Sequence, residues 1–372
     1  MNSRRKLVLL ILTYLILLTC HVNYFYMKTH SFDSLMKYLN WGAGKNSKNS
    51  DDVYAENGWI KDSGVKKWGF FPENETSVDV EAVLAQRLFT LQEHCDKNYS
   101  PNKNGFVPRN ELLEQYKKKH GDAISVLSPY NLYECRIAKT GTTMRSVVLW
   151  KAFHGGQNIH THHYQHPSED LKVPKLDWFD AEKISFMTRH YLGVIFVREP
   201  LMKIVSSYFS KFCNPKWNRV YAKKFGFDAK YKPTLGEVLR KLASGENLPL
   251  YSTHDDHFMS YFDKCDPCLL EYDFIGRFET LQRDLKYLIF NKTSLHEGLS
   301  RPVEDAPYSG KFEDCRYSID NPEAYRDVSI EDVKTLIKNH RQEYAAFGYD
   351  AEATIKYFKD KILDVQIELG DD

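Results

Sequence analysis

The stretch Leu132-Tyr-Glu-Cys-Arg-Ile-Ala-Lys-Thr-Gly-Thr-Thr-Met-Arg-Ser-Val-Val148 decides how the rest of the chain is read. Its first part, Leu132, Tyr133, Cys135 and Ile137, is a short apolar run of the length of a buried strand. Beyond Lys139-Thr140-Gly141-Thr142-Thr143 the apolar positions Met144, Val147, Val148 and Phe153 switch to helical spacing. A cation, a flexible glycine and three hydroxyls between a strand and a helix N-terminus form a cradle for a phosphate or sulfate. The lysine precedes the glycine and GxxxxGK[ST] is absent, so the pattern is not that of an ATPase or kinase loop.

Two further units repeat the theme. Gly193-Val194-Ile195-Phe196-Val197 is a continuous β-prone run stopped by Arg198-Glu199-Pro200, after which Leu201, Ile204, Val205, Tyr208, Phe209 and Phe212 keep helical spacing. Tyr272 to Gly276 forms a third strand, followed by Arg277-Phe278-Glu279-Thr280 and a helix carrying Leu281, Leu285, Leu288 and Ile289. This alternation predicts an α/β fold: a P-loop-like parallel sheet flanked by helices, with ligands at the carboxyl ends of the strands. Arg198 leaves the second strand there, and Ser206 lies two helical turns on, so the pair can grip a second phosphate. Either residue alone reads equally well as structural, Arg198 as a strand-end partner of Glu199 and Ser206 as a small packing residue. Near the end, Ser329 caps a predicted helix carrying Val333, Leu336, Ile337, His340 and Tyr344 and ending at Gly348; the tail from Ala351 reads as a peripheral helix.

Outside this core, Arg4-Arg5-Lys6 precedes an apolar run from Leu7 that ends in an aromatic belt at Tyr24, Phe25 and Tyr26. No small-x-small cleavage site follows it, so residues 7–27 are expected to be a signal-anchor helix behind a cytoplasmic tail, 1–6. Residues 28–77, centred on "GAGKNSKNSDD", are too polar to order themselves and read as a stem, leaving 78–372 as the luminal domain. Sequons at Asn74, Asn98 and Asn291 fit an oxidising lumen, as do six cysteines beyond the anchor: Cys95, Cys135, Cys213, Cys265, Cys268 and Cys315. Six allow 15 pairings, and with no second CxxC to complete a zinc site, Cys265-Asp-Pro-Cys268 reads as structural. The 51 Lys plus Arg nearly balance the 50 Asp plus Glu, which argues against nucleic acid as a partner.

The ordered combination of motifs resembles the Golgi carbohydrate sulfotransferases of the chondroitin 4-O-sulfotransferase and HNK-1 sulfotransferase group, over roughly Tyr133 to Tyr349. "CRIAKTGTTMRSVV" (135–148) is similar to that family's 5'-phosphosulfate loop, and "FVREPLMKIVSSYFSKF" (196–212) to its 3'-phosphate motif. "HFMSYFDKCDPCLLEYDFIGRFETLQRD" (257–284) is similar to its later block, and "YAAFGYD" (344–350) to its C-terminal signature. Ala138, Met144 and Lys203 depart from the family's usual proline, polar residue and arginine.

The resemblance implies transfer of a sulfuryl group from 3'-phosphoadenosine 5'-phosphosulfate to a glycan hydroxyl. The acceptor would be a glycan or proteoglycan, chondroitin-like or containing N-acetylgalactosamine, and the enzyme a single-pass type II protein of the Golgi membrane. It implies that Arg136, Lys139, Thr140, Gly141, Thr142 and Thr143 hold the 5' side of the donor, that Arg198 and Ser206 hold its 3'-phosphate, and that no metal is needed. The alternative is a catalytically silent glycan- or nucleotide-binding relative. The acceptor hydroxyl needs a base. His257 matches the family's His-aromatic pair; His254, His190 and the cluster His160, His162, His163 and His166 are the other candidates, the cluster reading as an exposed loop rather than a zinc site. The stretch Lys211 to Lys232, with seven cations against Asp228, reads either as a surface for an acidic glycan or as a solvated loop.

Overall fold

The computed structural model describes residues 79–98, 108–146, 174–245, 255–295, 319 and 321–370. At its centre is a four-stranded sheet in the order β1 (Ile124–Leu127), β2 (Leu132–Cys135), β3 (Leu192–Val197), β4 (Phe274–Arg277). The three expected strands are β2, β3 and β4, and they are parallel, with Cys135 beside Ile195 and Val197 beside Arg277. The sheet as a whole is mixed rather than parallel, because β1 pairs antiparallel with β2, Ile124 opposite Cys135. That strand escapes the sequence pattern because it is four residues long, buried throughout, and joined to β2 by the tight turn Ser128–Tyr130 and left-handed Asn131. Such runs carry no period to distinguish strand from helix.

The labelled helices are α1 (Val80–Asn98), α2 (Arg109–His120), α3 (from residue 142 to the last described residue of that stretch, 146), α4 (Ala181–His190), α5 (Pro200–Lys211), α6 (Pro215–Lys224), α7 (Leu235–Ser244), α8 (Leu281–Tyr287), α9 (Ile330–Asn339), α10 (Arg341–Phe347) and α11 (Ala351–Gly370). The core gathers β-strand residues such as Ile195 and Val197 with Leu201, Ile204 and Val205 of α5 and Phe347 and Phe358 from the C-terminal helices. Helix α5 is fixed at its start by Pro200, whose missing N–H costs nothing there, and by Glu199, whose carboxylate accepts from Met202 N–H at 2.6 Å.

Three expectations about helices are corrected. The predicted helix from Ser329 to Gly348 is two: Ser329 does cap α9 and Gly348 does end α10 in a left-handed conformation, but the chain breaks at His340, whose ring binds buried Glu343. Helix α11 is integral rather than peripheral, since Phe358 and Thr354 are fully buried. The lysine-rich stretch after Lys211 is not all loop, since it contains helix α6, with Asn214 as its cap.

Two disulfides join distant segments, Cys95 to Cys268 with Cα atoms 5.5 Å apart and Cys135 to Cys265 at 5.9 Å. The two cysteines of the CxxC therefore have different partners, which excludes a redox or zinc pair. Cys213 is also oxidised. The anchor, the stem, Asn74, Cys315, His254 and the cluster His160 to His166 lie outside the described residues; among those described, no helix is long and apolar enough to cross a membrane.

Candidate active site

Parallel pairing brings the loops after β2, β3 and β4 to one end of the sheet. The first is pinned from within. Thr140 and Thr142 both donate their hydroxyls to the Ile137 carbonyl, the former at 2.8 Å. Arg145 reaches back from α3 to the Thr140 carbonyl and to Glu134 on β2, with Nε–Oε1 at 2.5 Å, while its guanidinium lies 4.5 Å from the Phe196 ring centroid. Both members of this ion pair are buried, so the loop is wound around a charge that must keep its partner. The turn takes Lys139 and Gly141 into the left-handed region, with φ of 69° and 78°, and a Cβ on residue 141 would stand 2.4 Å from Leu281 Cδ2. Glycine is required there on both counts. The first N–H groups of a helix have no carbonyl of their own helix to reach, and such an end favours negative charge.

Arg198, at the end of β3, is buried and held on several sides. Tyr261 Oη accepts from its backbone N–H at 2.8 Å and lies 3.0 Å from its carbonyl. Its guanidinium lies 4.1 Å from the Phe278 ring centroid and donates to the Lys139 carbonyl at 3.3 Å, so the first and second loops touch. The neighbouring acid turns away: Glu199 is bound by Met202, Tyr344 and Thr354, while its backbone N–H reaches Glu279 at 2.8 Å. Ser206 is half-buried, and its hydroxyl has no hydrogen bond among the described residues. It is Ser207, fully buried, that has the structural role, with Oγ 2.8 Å from the Lys203 carbonyl and 2.7 Å from that of His257. Lys203 itself is buried against the Met259 carbonyl and the Tyr261 ring.

His257 is thus docked on α5 through its own carbonyl. Its Nδ1 faces Asp255 Oδ1 at 2.9 Å, and its ring meets Tyr221 edge-on at a centroid distance of 6.2 Å. Burial, together with the positive charges of Lys211 and Lys139, outweighs Asp255 and keeps the imidazole below its ordinary pKa, hence neutral near pH 7. Burial, then Arg198 and Lys211, push the Lys139 ammonium down to about 7. These mutual effects place Lys139, Arg198, Lys211 and His257 in one electrostatic neighbourhood. Lys139 has no ion-pair partner among the described residues.

Other expected residues fall elsewhere. Arg136 donates to the Asp122 carbonyl at 2.7 Å, and burial lowers its pKa. His190 ends α4, ahead of β3, at the opposite end of the sheet, where its ring lies tilted against Phe186 at a centroid distance of 4.4 Å. Asn98 and Asn291 are exposed. Sequence reasoning missed Glu134, Arg145, Asp255 and Tyr221. Only Asp255, two residues before a candidate base, carried a signal; the others depend on contacts between separate elements.

The arrangement defines a class: an α/β domain that presents two loops carrying buried cations, with a neutral histidine near them, at the carboxyl ends of three parallel strands. The pattern of the sulfotransferase family matches residues 122–350, which contain all of these groups, and the chain belongs to that family. It is 28% identical to human carbohydrate sulfotransferase 9 over 208 residues, 49% of this chain and 46% of the relative. To human carbohydrate sulfotransferase 8 it is 27% identical over 219 residues, 55% and 48% of the two chains. To Danio rerio carbohydrate sulfotransferase 14 it is 32% identical over 233 residues, 58% and 60%. The chain spans about half the length of these relatives. No solved structure matches it.

Proposed function

We propose that this chain is a carbohydrate O-sulfotransferase that moves a sulfuryl group from 3'-phosphoadenosine 5'-phosphosulfate to a glycan hydroxyl, in the lumen of the Golgi, on a type II anchor formed by residues 7–27. The observation that carries the reading is the contact between Arg198 and the Lys139 carbonyl. It joins a loop suited to a 5'-phosphosulfate to an arginine suited to a 3'-phosphate, the two features that distinguish this donor from ADP or AMP. The oxidised cysteines and the exposed sequons at Asn98 and Asn291 support a luminal location. The named relatives support a sugar acceptor.

In this reading the acceptor oxygen bonds to sulfur as the bond between sulfur and the bridging oxygen breaks. The hydroxyl proton passes to His257 Nε2, and the negative charge is left on the 5'-phosphate. Lys139 and the first N–H groups of α3 meet that charge, and Gly141, Thr142 and Thr143 shape their approach. Arg198 and Ser206 hold the 3'-phosphate and fix the donor's register. The work is positioning and electrostatics.

The test is transfer of labelled sulfate from the donor to a panel of desulfated glycosaminoglycans and N-acetylgalactosamine-terminated glycans, with Lys139→Ala and Arg198→Ala beside the wild type. Label on one glycan class, reduced roughly 100-fold or more in Lys139→Ala, is expected. Donor binding without transfer to any acceptor would instead favour a silent relative, with the departures at Ala138 and Met144 as its cause. Absence of donor binding would end the sulfotransferase reading.

A further inference from the structure

The Asp255 side chain is only 8% exposed, and each of its oxygens is doubly engaged. Oδ1 accepts from the His257 backbone N–H at 3.0 Å and lies 2.9 Å from its ring Nδ1. Oδ2 accepts from Tyr221 Oη at 2.9 Å and from Lys224 Nζ at 2.8 Å. An acceptor-only carboxylate facing a ring nitrogen requires that nitrogen to carry the proton. The next residue, Asp256, is half exposed and pairs with Lys264, so the two adjacent acids serve different partners.

We propose that Asp255 is the positioning residue for His257: it holds the neutral ring as the Nδ1–H tautomer, leaves Nε2 to take the acceptor proton, and ties the ring to α6 through Tyr221 and Lys224. This rests on the reading of His257 as the base. An orienting partner of this kind fixes both ring rotation and tautomer, and it stabilises the imidazolium formed as the proton arrives. Burial pushes the Asp255 carboxyl up, but the hydrogen bonds from His257 and Lys224 outweigh it and hold the group well below the usual carboxylate range. It is therefore an anion whenever the enzyme works. Tyr221 of α6 meets the ring edge-on, Lys224 of α6 reaches the same carboxylate, and Lys211 at the end of α5 and Lys139 of the first loop add positive charge. Burial, Lys211 and Lys139 oppose a resting imidazolium and the carboxylate favours it, so the pair is set to receive a proton rather than to store one.

The experiment combines Asp255→Asn, His257→Ala and the double variant in the full chain, with Asp256→Asn as control, read by kcat, donor affinity and the ring-nitrogen signals of ¹⁵N-histidine-labelled wild type. Asp255→Asn is expected to lower kcat about 10- to 100-fold with donor affinity within about twofold of wild type. The double variant should be no worse than His257→Ala, since the two act as one unit. In the wild type, the signal that His257→Ala removes should show protonated Nδ1 and bare Nε2. A full kcat for His257→Ala overturns the base reading and the proposal with it. A large loss in His257→Ala, with Asp255→Asn silent or with losses that multiply, overturns the proposal alone. The wild-type spectrum decides even where Asp255→Asn fails to fold: a protonated Nε2 overturns the assignment.

Discussion

The depressed pKa of Lys139 makes a quantitative claim about donor binding. In the free protein its ammonium titrates at about 7 instead of 10.5, because it is buried and stands near Arg198 and Lys211. A phosphosulfate placed on the loop supplies the missing counter-charge and returns the lysine to its ordinary range, so binding takes up a proton wherever the free lysine is neutral. With the bound value returned to about 10.5, Kd scales as one plus a tenfold factor per pH unit above 7, and affinity falls roughly 90-fold between pH 6 and pH 9. Uptake should be about half a proton at pH 7 and about 0.9 at pH 8. Calorimetry with 3'-phosphoadenosine 5'-phosphate in buffers of different ionisation enthalpy measures this directly. The nucleotide's own phosphates titrate near 6, and Lys139→Arg, which stays charged throughout, subtracts them. An equal pH slope in wild type and Lys139→Arg above pH 7 would refute the argument. The same shift has a consequence without ligand. Between about 7 and 10.5 the unfolded chain holds a proton that the folded chain has lost. Stability relative to Lys139→Met should therefore rise with pH across that window.

Gly141→Ala combines a left-handed backbone costing about 1–2 kcal/mol with overpacking against Leu281 of about 1–3 kcal/mol. It should lower both the unfolding midpoint and donor affinity, and a second change, Leu281→Ala, should relieve only the packing part. Ser206→Ala should weaken binding of the 3'-phosphate about fivefold without moving Tm, whereas Ser207→Ala should lower Tm, because its buried hydroxyl bridges α5 and the His257 carbonyl; the reverse pattern would show that the wrong serine had been assigned. Glu134→Gln strands the buried Arg145 charge and should cost about 3–5 kcal/mol, measured by denaturant unfolding. Cys95→Ser opens a link spanning 173 residues and should lower stability by about 2–5 kcal/mol, visible as a Tm shift that reducing agent exceeds in the wild type, since it also opens Cys135–Cys265.

Much of this was legible in the chain. Strands β2, β3 and β4 carry apolar runs that stop at chemically distinctive loops, and those loops hold Lys139, Gly141 and Arg198, so reading the sheet and reading the site were one act. What stayed hidden was non-local. β1 is recognisable only by its register with β2, the split at His340 by the buried carboxylate it binds, and α6 was masked by its own lysines. Its three lysines, Lys216, Lys223 and Lys224, lie in a stretch that reads equally as a solvated loop, yet Lys224 and the preceding Lys211 rest over the rings of Tyr221 and Trp217. His257 stands out among several histidines in the sequence only through the resemblance, and in the fold it lies in the field of Lys139 and Lys211. Composition does not show that His190 lies at the far end of the sheet, because this follows from strand direction.

The treatment of charge ties these features together. A donor with two phosphates and a sulfate needs cations that remain available after folding, and folding tends to spend cations on nearby carboxylates. Here the nearby acids are occupied elsewhere. Glu199 follows Arg198 directly but is consumed by the N-terminus of α5, Tyr344 and Thr354, and Glu279 is taken by the Glu199 N–H and by Tyr349. Glu134 is spent on Arg145, and Asp255 on His257, Tyr221 and Lys224. Burial and the charges of Arg198 and Lys211 depress the pKa of Lys139, while Lys211, lying over the Trp217 and Tyr221 rings, is lowered by burial and by Lys224 and Lys216. Their repulsion is a cost in the free protein that an incoming polyanion removes. A single new carboxylate within reach of Lys139, as in Thr143→Asp, should therefore abolish donor binding while raising the stability of the free chain. Loss of binding with no gain in stability would mean that the cations are not held under mutual strain.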